Sequence, residues 1–228
     1  MTHYNPHRVA GTEVPMISLR SAAGFSGLAM ALIYIAAFVY FGAFFDYPSQ
    51  GTQEERLRFL DENQLAVSIA YGSIYILFGA LLAVMVAGLH DLLSPYGPAA
   101  SLTSLLGAVW VGLVMASGMI YVTGLQHVVG LLPDSSEAAF HLWRVVSMLG
   151  DSLGGGNELV GGLWVAGVSL LGLKYGVLPR ALNSLGCLVG AFGLATTLPL
   201  DMFTDMFGLS QIVWFLWLGL SLLRMREA

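Results

Sequence analysis

Six long apolar runs limit what this 228-residue chain can fold into more than any other feature of its sequence. An α-helix rises about 1.5 Å per residue, so roughly 20 apolar residues cross the hydrocarbon core of a bilayer, which is about 30 Å thick. The six runs are residues 22–45, 65–89, 100–125, 153–173, 181–198 and 209–223. They predict an all-α fold, a polytopic bundle of six transmembrane helices.

The composition supports the same class of protein. Hydrophobic residues make up 57% of the chain and charged residues 10%, whereas about 25% of the residues of soluble domains are charged. No stretch between the apolar runs is long enough for a second domain, so we expect residues 1–228 to form a single membrane domain. Residues 1–20 are polar and lack a small-residue cleavage site, which favours a retained cytoplasmic tail over a cleaved signal peptide.

The distribution of Lys and Arg predicts the orientation, because short cytoplasmic loops accumulate these residues. With six spans and a cytoplasmic N-terminus, the C-terminus is cytoplasmic too, and six of the 9 basic residues fall on that side. These six are Arg8, Arg20, Lys174, Arg180, Arg224 and Arg226. We therefore expect a multi-pass protein of the bacterial inner membrane, with the lipid bilayer as its partner.

Several function classes find no support in the sequence. The net charge of -5 is spread over the loops and forms no basic patch, so nucleic acid is not expected as a partner. Cys187 is the only cysteine, which excludes an internal disulfide and a cysteine-based metal site. The chain has no Walker loop, dinucleotide fingerprint, HExxH, GxSxG or CxxC motif. Nothing in the sequence predicts an enzyme, a catalytic residue or a particular cofactor.

One polar stripe enters the membrane, and it belongs to the fourth apolar run. Residues 150–162 read GDSLGGGNELVGG, and residues 137–150 are expected to lead into the span as an amphipathic or extended segment. Steps of three and four residues connect four polar side chains, which therefore lie along one helical face. These candidate site residues are His141, Arg144, Asp151 and Glu158. The supporting polar residues are Asn157, Gln126, Tyr71 and Tyr75.

Glu158 is the carboxylate that lies deepest, about 8 Å beneath the outer surface of the hydrocarbon core. At the centre of a membrane a carboxylate costs up to about 3 kcal/mol, so Glu158 should face the bundle or water. Three interpretations are open. In the first, Glu158 fixes helix packing by hydrogen bonds or by pairing with Arg144. In the second, Asp151 and Glu158 line an outward-facing vestibule for a cation, a proton or a small polar solute. In the third, the two carboxylates help to hold a cofactor, a metal or a lipid-like ligand.

The glycines around Glu158 also have two interpretations. Glycine weakens a helix by about 1 kcal/mol per residue relative to alanine. Irregular backbone is tolerated in lipid only where it is buried in protein or lines a cavity. Either residues 154–156 let another helix pack against bare backbone, or the fourth span breaks there and presents a half-helix end beside the carboxylate.

A metal site is a further hypothesis. His127 and His141 flank the loop between the third and fourth runs, and imidazole together with a carboxylate suits Zn, Cu or Fe. The spacing of the two histidines matches no recognised motif, and ordinary surface histidines are the alternative.

The segment YGVLPRALNSLGCLVGAFG carries a resemblance to a known family. An apolar span ends in a glycine-containing turn, followed by Leu178, Pro179 and Arg180 and then by a glycine-rich apolar span. With six spans in a chain of this length, the layout resembles the DUF4386 family of bacterial integral membrane proteins. The resemblance implies the six-span topology, and it implies no activity.

Small residues recur at every fourth position in several spans, and such rows let helices approach closely in lipid. The rows are Gly79, Ala83 and Ala87; Ala108, Gly112 and Ala116; and Gly186 and Gly190. They favour tight packing within the bundle or a dimer face.

The first functional hypothesis is therefore a non-enzymatic accessory or assembly subunit of a membrane complex, or a homo-oligomer. The second is a small transporter or channel-like protein with a vestibule at Asp151 and Glu158, and the third is a cofactor- or metal-binding membrane protein.

Overall fold

The structure is a computed structural model that describes residues 18–200 and 202–225, with the backbone alone described for residues 154–157. Most of the expected polar tail, including Arg8, lies outside the described residues, as do Asp201 and Arg226. Within the described part of the chain, all regular secondary structure is helical. The expected all-α class is therefore confirmed.

Eight α-helices follow one another along the described chain. They are α1 (Leu19–Ala43), α2 (Gln53–Glu62), α3 (Gln64–Tyr71), α4 (Phe78–Leu93), α5 (Pro98–Leu131), α6 (Ser136–Tyr175), α7 (Arg180–Ala195) and α8 (Met202–Arg224). A π-helical segment, Gly72–Leu77, joins α3 to α4, so that Gln64–Tyr96 forms one continuous rod of 33 residues.

Five of these rods are long and apolar enough to cross a membrane, namely α1, the α3–α4 rod, α5, α6 and α8. The sixth apolar helix, α7, has 16 residues and is shorter than its sequence run, because Pro199 disfavours helical backbone in the residue before it. The helix α8 is longer than its sequence run, because it begins at Met202, seven residues before the apolar run starts at residue 209. The structure therefore supports a multi-pass helical bundle, in which five rods of the described chain could span a membrane.

The six apolar rods pack in a closed ring. Around the ring, α1 contacts the α3–α4 rod, then α5, α6, α7 and α8 follow in order, and α8 packs back against α1. Short connections make successive rods antiparallel. We call the end of the ring that carries α2 and the α5–α6 and α7–α8 connections the α2 end.

The outer surface of the ring is apolar, as lipid contact requires. Leu32, Leu65 and Leu105 are 63%, 74% and 64% exposed. The interior is filled by large side chains such as Trp164 and Phe215, which are 1% and 0% exposed. Helices that are hydrophobic on all sides are typical of membrane spans.

Glycines allow the helices of the ring to approach closely. A Cβ on Gly162 of α6 would lie 2.8 Å from the Cα of Gly193 and 3.0 Å from the carbonyl oxygen of Gly190, both in α7. Bare backbone on both sides therefore forms the α6–α7 contact. The helix α6 also runs without interruption through residues 154–156, so of the two interpretations of the glycines the structure favours close packing over a break. Packing against α5 and α7 along its length offsets the intrinsic weakness of the glycine run.

The two longest helices extend beyond a membrane. With 34 and 40 residues, α5 and α6 are about 50 and 60 Å long, so their hairpin projects from the ring at the α2 end. Leu57 and Leu60 of α2 are buried in the same hydrophobic cluster as Phe140 and Trp143 of α6. The expectation of an amphipathic segment before Gly150 is confirmed, and the extended alternative is wrong.

The projecting hairpin also holds the α1–α2 connection. The indole Nε1 of Trp143 donates a hydrogen bond of 3.2 Å to the hydroxyl of Tyr47. Burial raises the pKa of the Tyr47 hydroxyl, and the Trp143 hydrogen bond and the charge of Arg56 oppose this effect. A capping box between Thr52 and Glu55 begins α2, a helix that the apolar pattern did not predict because it lies in a polar segment.

The α6–α7 contact gives the first prediction. Gly162→Ala should destabilise the protein by about 1–3 kcal/mol, because the new methyl group meets backbone atoms that cannot rotate away. Gly112→Ala is the matched control, since a Cβ there meets nothing within 4 Å, and it should be neutral or stabilising by up to about 1 kcal/mol. Thermal unfolding of both variants in detergent, followed by circular dichroism, measures the difference. Equal melting temperatures would contradict the proposed contact.

Candidate functional site

A cavity of about 550 Å³ lies inside the half of the ring nearest the α2 end. Its wall combines the second half of α1, the π-helical segment, the second half of α5, the first part of the membrane portion of α6 and the start of α8. These segments meet because successive rods run antiparallel. Of the 19 lining residues, nine are aromatic and three are acidic. The cavity is thus aromatic and negatively charged.

Asp151 and Glu158 of α6 both line this cavity. They lie seven residues apart on the same helix, which separates them by about 10 Å along its axis. Asp151 accepts a hydrogen bond from the hydroxyl of Tyr121 in α5. Glu158 accepts one of 3.2 Å from the hydroxyl of Thr204 in α8. Each carboxylate is therefore positioned by a neighbouring helix and keeps further acceptor capacity for a ligand.

Three tyrosines form a stack next to Asp151, in the part of the cavity nearest the α2 end. The rings of Tyr71 and Tyr121 lie 4.1 Å apart at an angle of 3°, and Tyr75 stacks on Tyr121 at 5.9 Å. Tyr75 belongs to the π-helical segment and Tyr71 is the residue directly before it, and the wider turn of a π-helix changes the direction of successive side chains. Segments of π-helix inside α-helices occur frequently at functional sites.

Two glycines bring the helices close enough for this stack. A Cβ on Gly118 of α5 would lie 2.6 Å from the Cβ of Tyr75. A Cβ on Gly150 of α6 would lie 2.6 Å from the Cζ atom of the Tyr121 ring. The first glycine of the GDSLGGGNELVGG stretch therefore makes room for the tyrosine that holds Asp151.

A second aromatic group lines the cavity deeper in the ring. Tyr34 meets Phe78 edge to face at 5.1 Å, and Phe78 lies 6.2 Å from Trp110. The hydroxyl of Tyr34 donates a hydrogen bond of 2.8 Å to the Oε1 atom of Gln211, which is 0% exposed. The Nε2 atom of Gln211 has no hydrogen-bond partner in the described part of the chain.

The charge around the cavity has one sign. Asp205 is the third acidic lining residue, and among the described side chains no Lys, Arg or His lines the cavity. Arg144 is exposed and lies 14 residues from Glu158 on the same continuous helix, a separation of about 21 Å. The two side chains cannot pair at that distance, so the interpretation in which Arg144 pairs with Glu158 is wrong.

The structure separates the sequence-predicted residues into two groups. Asp151, Glu158, Tyr71 and Tyr75 come together around the cavity. His141 and Gln126 are exposed, and His141 lies 3.9 Å from Glu137 on its own helix. The backbone of Asn157 belongs to α6, and its side chain is outside the described part of the chain.

Among the described residues, no third potential metal-binding side chain joins His127 and His141. His127 is exposed, and its Nδ1 atom lies 2.9 Å from the carbonyl oxygen of Thr123. Within the described residues, no group of three or more His, Cys, Asp or Glu side chains has the geometry to hold a metal ion. His127 and His141 therefore match the surface-histidine alternative better than the metal site.

Sequence reasoning missed Tyr121, Thr204, Tyr34 and Gln211. Tyr34 and Tyr121 lie inside apolar runs, where a hydroxyl needs a hydrogen-bond partner, and Gln211 is a polar residue inside the sixth run. These signals identify side chains that must face the bundle. They do not show which helices face one another. The arrangement of the helices decides which of these side chains form hydrogen bonds with each other.

Comparisons with known proteins give no match: no family model matches the chain, and neither does a curated protein or a solved structure. The resemblance to the DUF4386 family stays a prediction.

The contact between Tyr121 and Asp151 gives the second prediction. Tyr121→Phe should lower the free energy of unfolding by about 1–2 kcal/mol, because it removes the hydrogen bond to the carboxylate and keeps the ring stack. Tyr71→Phe is the matched control, since Tyr71 shares the stack and its hydroxyl makes no hydrogen bond with the described residues. Chemical unfolding in detergent measures both. A larger loss in the Tyr71 variant would show that the carboxylate contact is not the stabilising one.

Proposed function

We propose that the protein transports a small cationic solute, which enters the cavity from the α2 end. The observation that carries this proposal is the cavity itself, where two carboxylates of α6 face a space enclosed by five helical segments. The acidic wall lacks a described basic residue, so an entering cation would supply the missing positive charge. Carboxylates within membrane spans commonly mark the path of an ion or substrate.

The cavity occupies one half of the ring. On the side away from the α2 end, the ring is filled by Met30, Met85, Trp164 and Leu218, each at most 1% exposed. The lining residues Asp151, Thr204 and Asp205 are exposed and lie in the half nearest the α2 end, so we propose that a solute reaches Glu158 from that end. This corresponds to one state of an alternating-access cycle, in which a second state would open the opposite end.

We also propose the topology expected from the sequence, with six spans, cytoplasmic termini and an inner-membrane location. Arg20, Lys174, Arg180 and Arg224 lie at the end opposite α2, which favours that end as the cytoplasmic one. The 16 residues of α7 rise about 24 Å, which crosses most of a hydrocarbon core of about 30 Å. Its place in the ring between α6 and α8 favours a sixth span.

Uptake by proteoliposomes tests the transport function. We expect the wild-type protein to take up at least one of radiolabelled rubidium, methylammonium and choline, and we expect Glu158→Gln to reduce the rate at least tenfold because the variant lacks the charge that binds the cation. Glu137→Gln is the matched control, since Glu137 lies on the same helix and does not line the cavity. If none of the three cations enters above the rate of empty liposomes, or if Glu158→Gln leaves uptake unchanged, the transport proposal fails.

A second candidate function is that of a subunit in a membrane assembly, and a groove on the outer surface favours it. The groove measures about 540 Å³ and lies between α4 and α5, where Ala83, Ala87 and Ala108 line it. These residues are exposed, so Ala83 and Ala87 of one small-residue row and Ala108 of another face outward from the ring. Small residues on a lipid-facing surface allow a helix of a second copy to approach closely.

Self-association through this groove makes a separate prediction. Ala108→Leu should shift an oligomer toward monomer, because the longer side chain occupies the groove. Ala36→Leu is the control, since it places the same substitution on the exposed surface of α1, away from the groove. Light scattering after size-exclusion chromatography in mild detergent measures the mass of each variant. A wild-type protein that is monomeric under these conditions would refute the assembly proposal.

A further inference from the structure

We propose that the solute bound in the cavity is an organic ammonium ion, an amine or quaternary ammonium with an apolar body, held by aromatic rings and by Glu158. This inference rests on the proposed transport function and names the chemical class of its substrate. Neither the sequence pattern nor the polar stripe distinguished this class from a metal ion or a proton.

The size of the cavity argues against a bare inorganic ion. About 550 Å³ is within the range of roughly 300–1,000 Å³ that is typical of sites for organic ligands. A dehydrated metal cation instead needs several oxygen ligands within about 2–2.6 Å of one point. Asp151 and Glu158 are too far apart along α6 to share such an ion, and the described residues contain no cluster of three potential metal ligands.

The aromatic wall supplies what an organic cation needs. The negative face of an aromatic ring attracts an ammonium group within about 6 Å of its centre, and the attraction grows when water is excluded. Tyr34 and Tyr75 line the same cavity as Glu158. An ammonium group near Glu158 would therefore meet a carboxylate and aromatic rings together, while Phe38 and Phe41 would contact its apolar part.

An unsatisfied polar group lies next to the deep aromatic group. The Nε2 atom of Gln211 is buried without a partner, and its Oε1 atom already holds the hydroxyl of Tyr34. Gln211 does not itself line the cavity, but its hydrogen bond holds the hydroxyl of Tyr34, which does. Part of the deep aromatic group is therefore held in place by the protein before a solute binds.

Choline and 3,3-dimethylbutan-1-ol provide the test, because they have nearly the same shape and only choline is charged. Binding to the full-length protein in detergent is measured by isothermal titration calorimetry, with potassium chloride and magnesium chloride as inorganic probes. We expect choline to bind at least tenfold more tightly than the neutral alcohol and than either metal ion. Tyr75→Phe should bind choline as the wild type does, whereas Tyr75→Leu should weaken binding about tenfold because the ring is lost. Glu158→Gln should weaken it by at least as much.

The outcomes separate this inference from the transport proposal. Equal affinity for choline and its neutral isostere would overturn the inference, and so would a Tyr75→Leu variant that is folded by circular dichroism and binds choline like the wild type. If rubidium uptake depends on Glu158 while choline does not bind, the transport function stands and the organic-cation assignment fails. If choline binds with the expected dependence on Tyr75 and no cation is taken up, the ligand class stands and transport fails.

Discussion

The structure depends on close contact between glycine-bearing helix surfaces in α6. This helix packs against α5 on one side and α7 on the other, and a side chain at Gly150, Gly161 or Gly162, among other glycines, would collide with a neighbour. In lipid there is no hydrophobic driving force between helices, so van der Waals contact at short distance must hold the bundle together. Each of these glycines weakens an isolated helix, and each lets a neighbouring helix lie close to α6.

The same contacts position the site. Gly150 makes room for the ring of Tyr121, whose hydroxyl then reaches Asp151. Gly161 accepts the ring of Trp110, which lines the deeper part of the cavity. Close packing and the cavity are thus not competing explanations of the glycine-rich stretch. The glycines serve packing, and the packing carries the two carboxylates of the same stretch to the cavity wall.

The cavity lies in one half of the ring, and aromatic side chains form much of its wall. Tyr71 and Tyr75 reach the cavity through the π-helical segment, while the opposite half of the ring is filled by Trp164, Phe215 and their neighbours. The cavity therefore occupies one half of the bundle, and the other half is filled. An acidic and aromatic space inside a bundle of apolar helices is suited to bind a cation, and the proposed transport is based on that geometry.

The sequence by itself determined the membrane class, the positions of the apolar helices and the helical face that Asp151 and Glu158 share, because these follow from hydrophobic length and from a period of 3.6 residues. It predicted neither α2, which lies in a polar segment, nor the continuity of α6 through its glycines. The tertiary structure alone decided that Tyr121 and Thr204 meet these carboxylates, that Tyr34 lines the same cavity, and that Arg144 does not reach them. Such partners come from different helices, and a helical period records which side chains share a face but not which helix lies opposite.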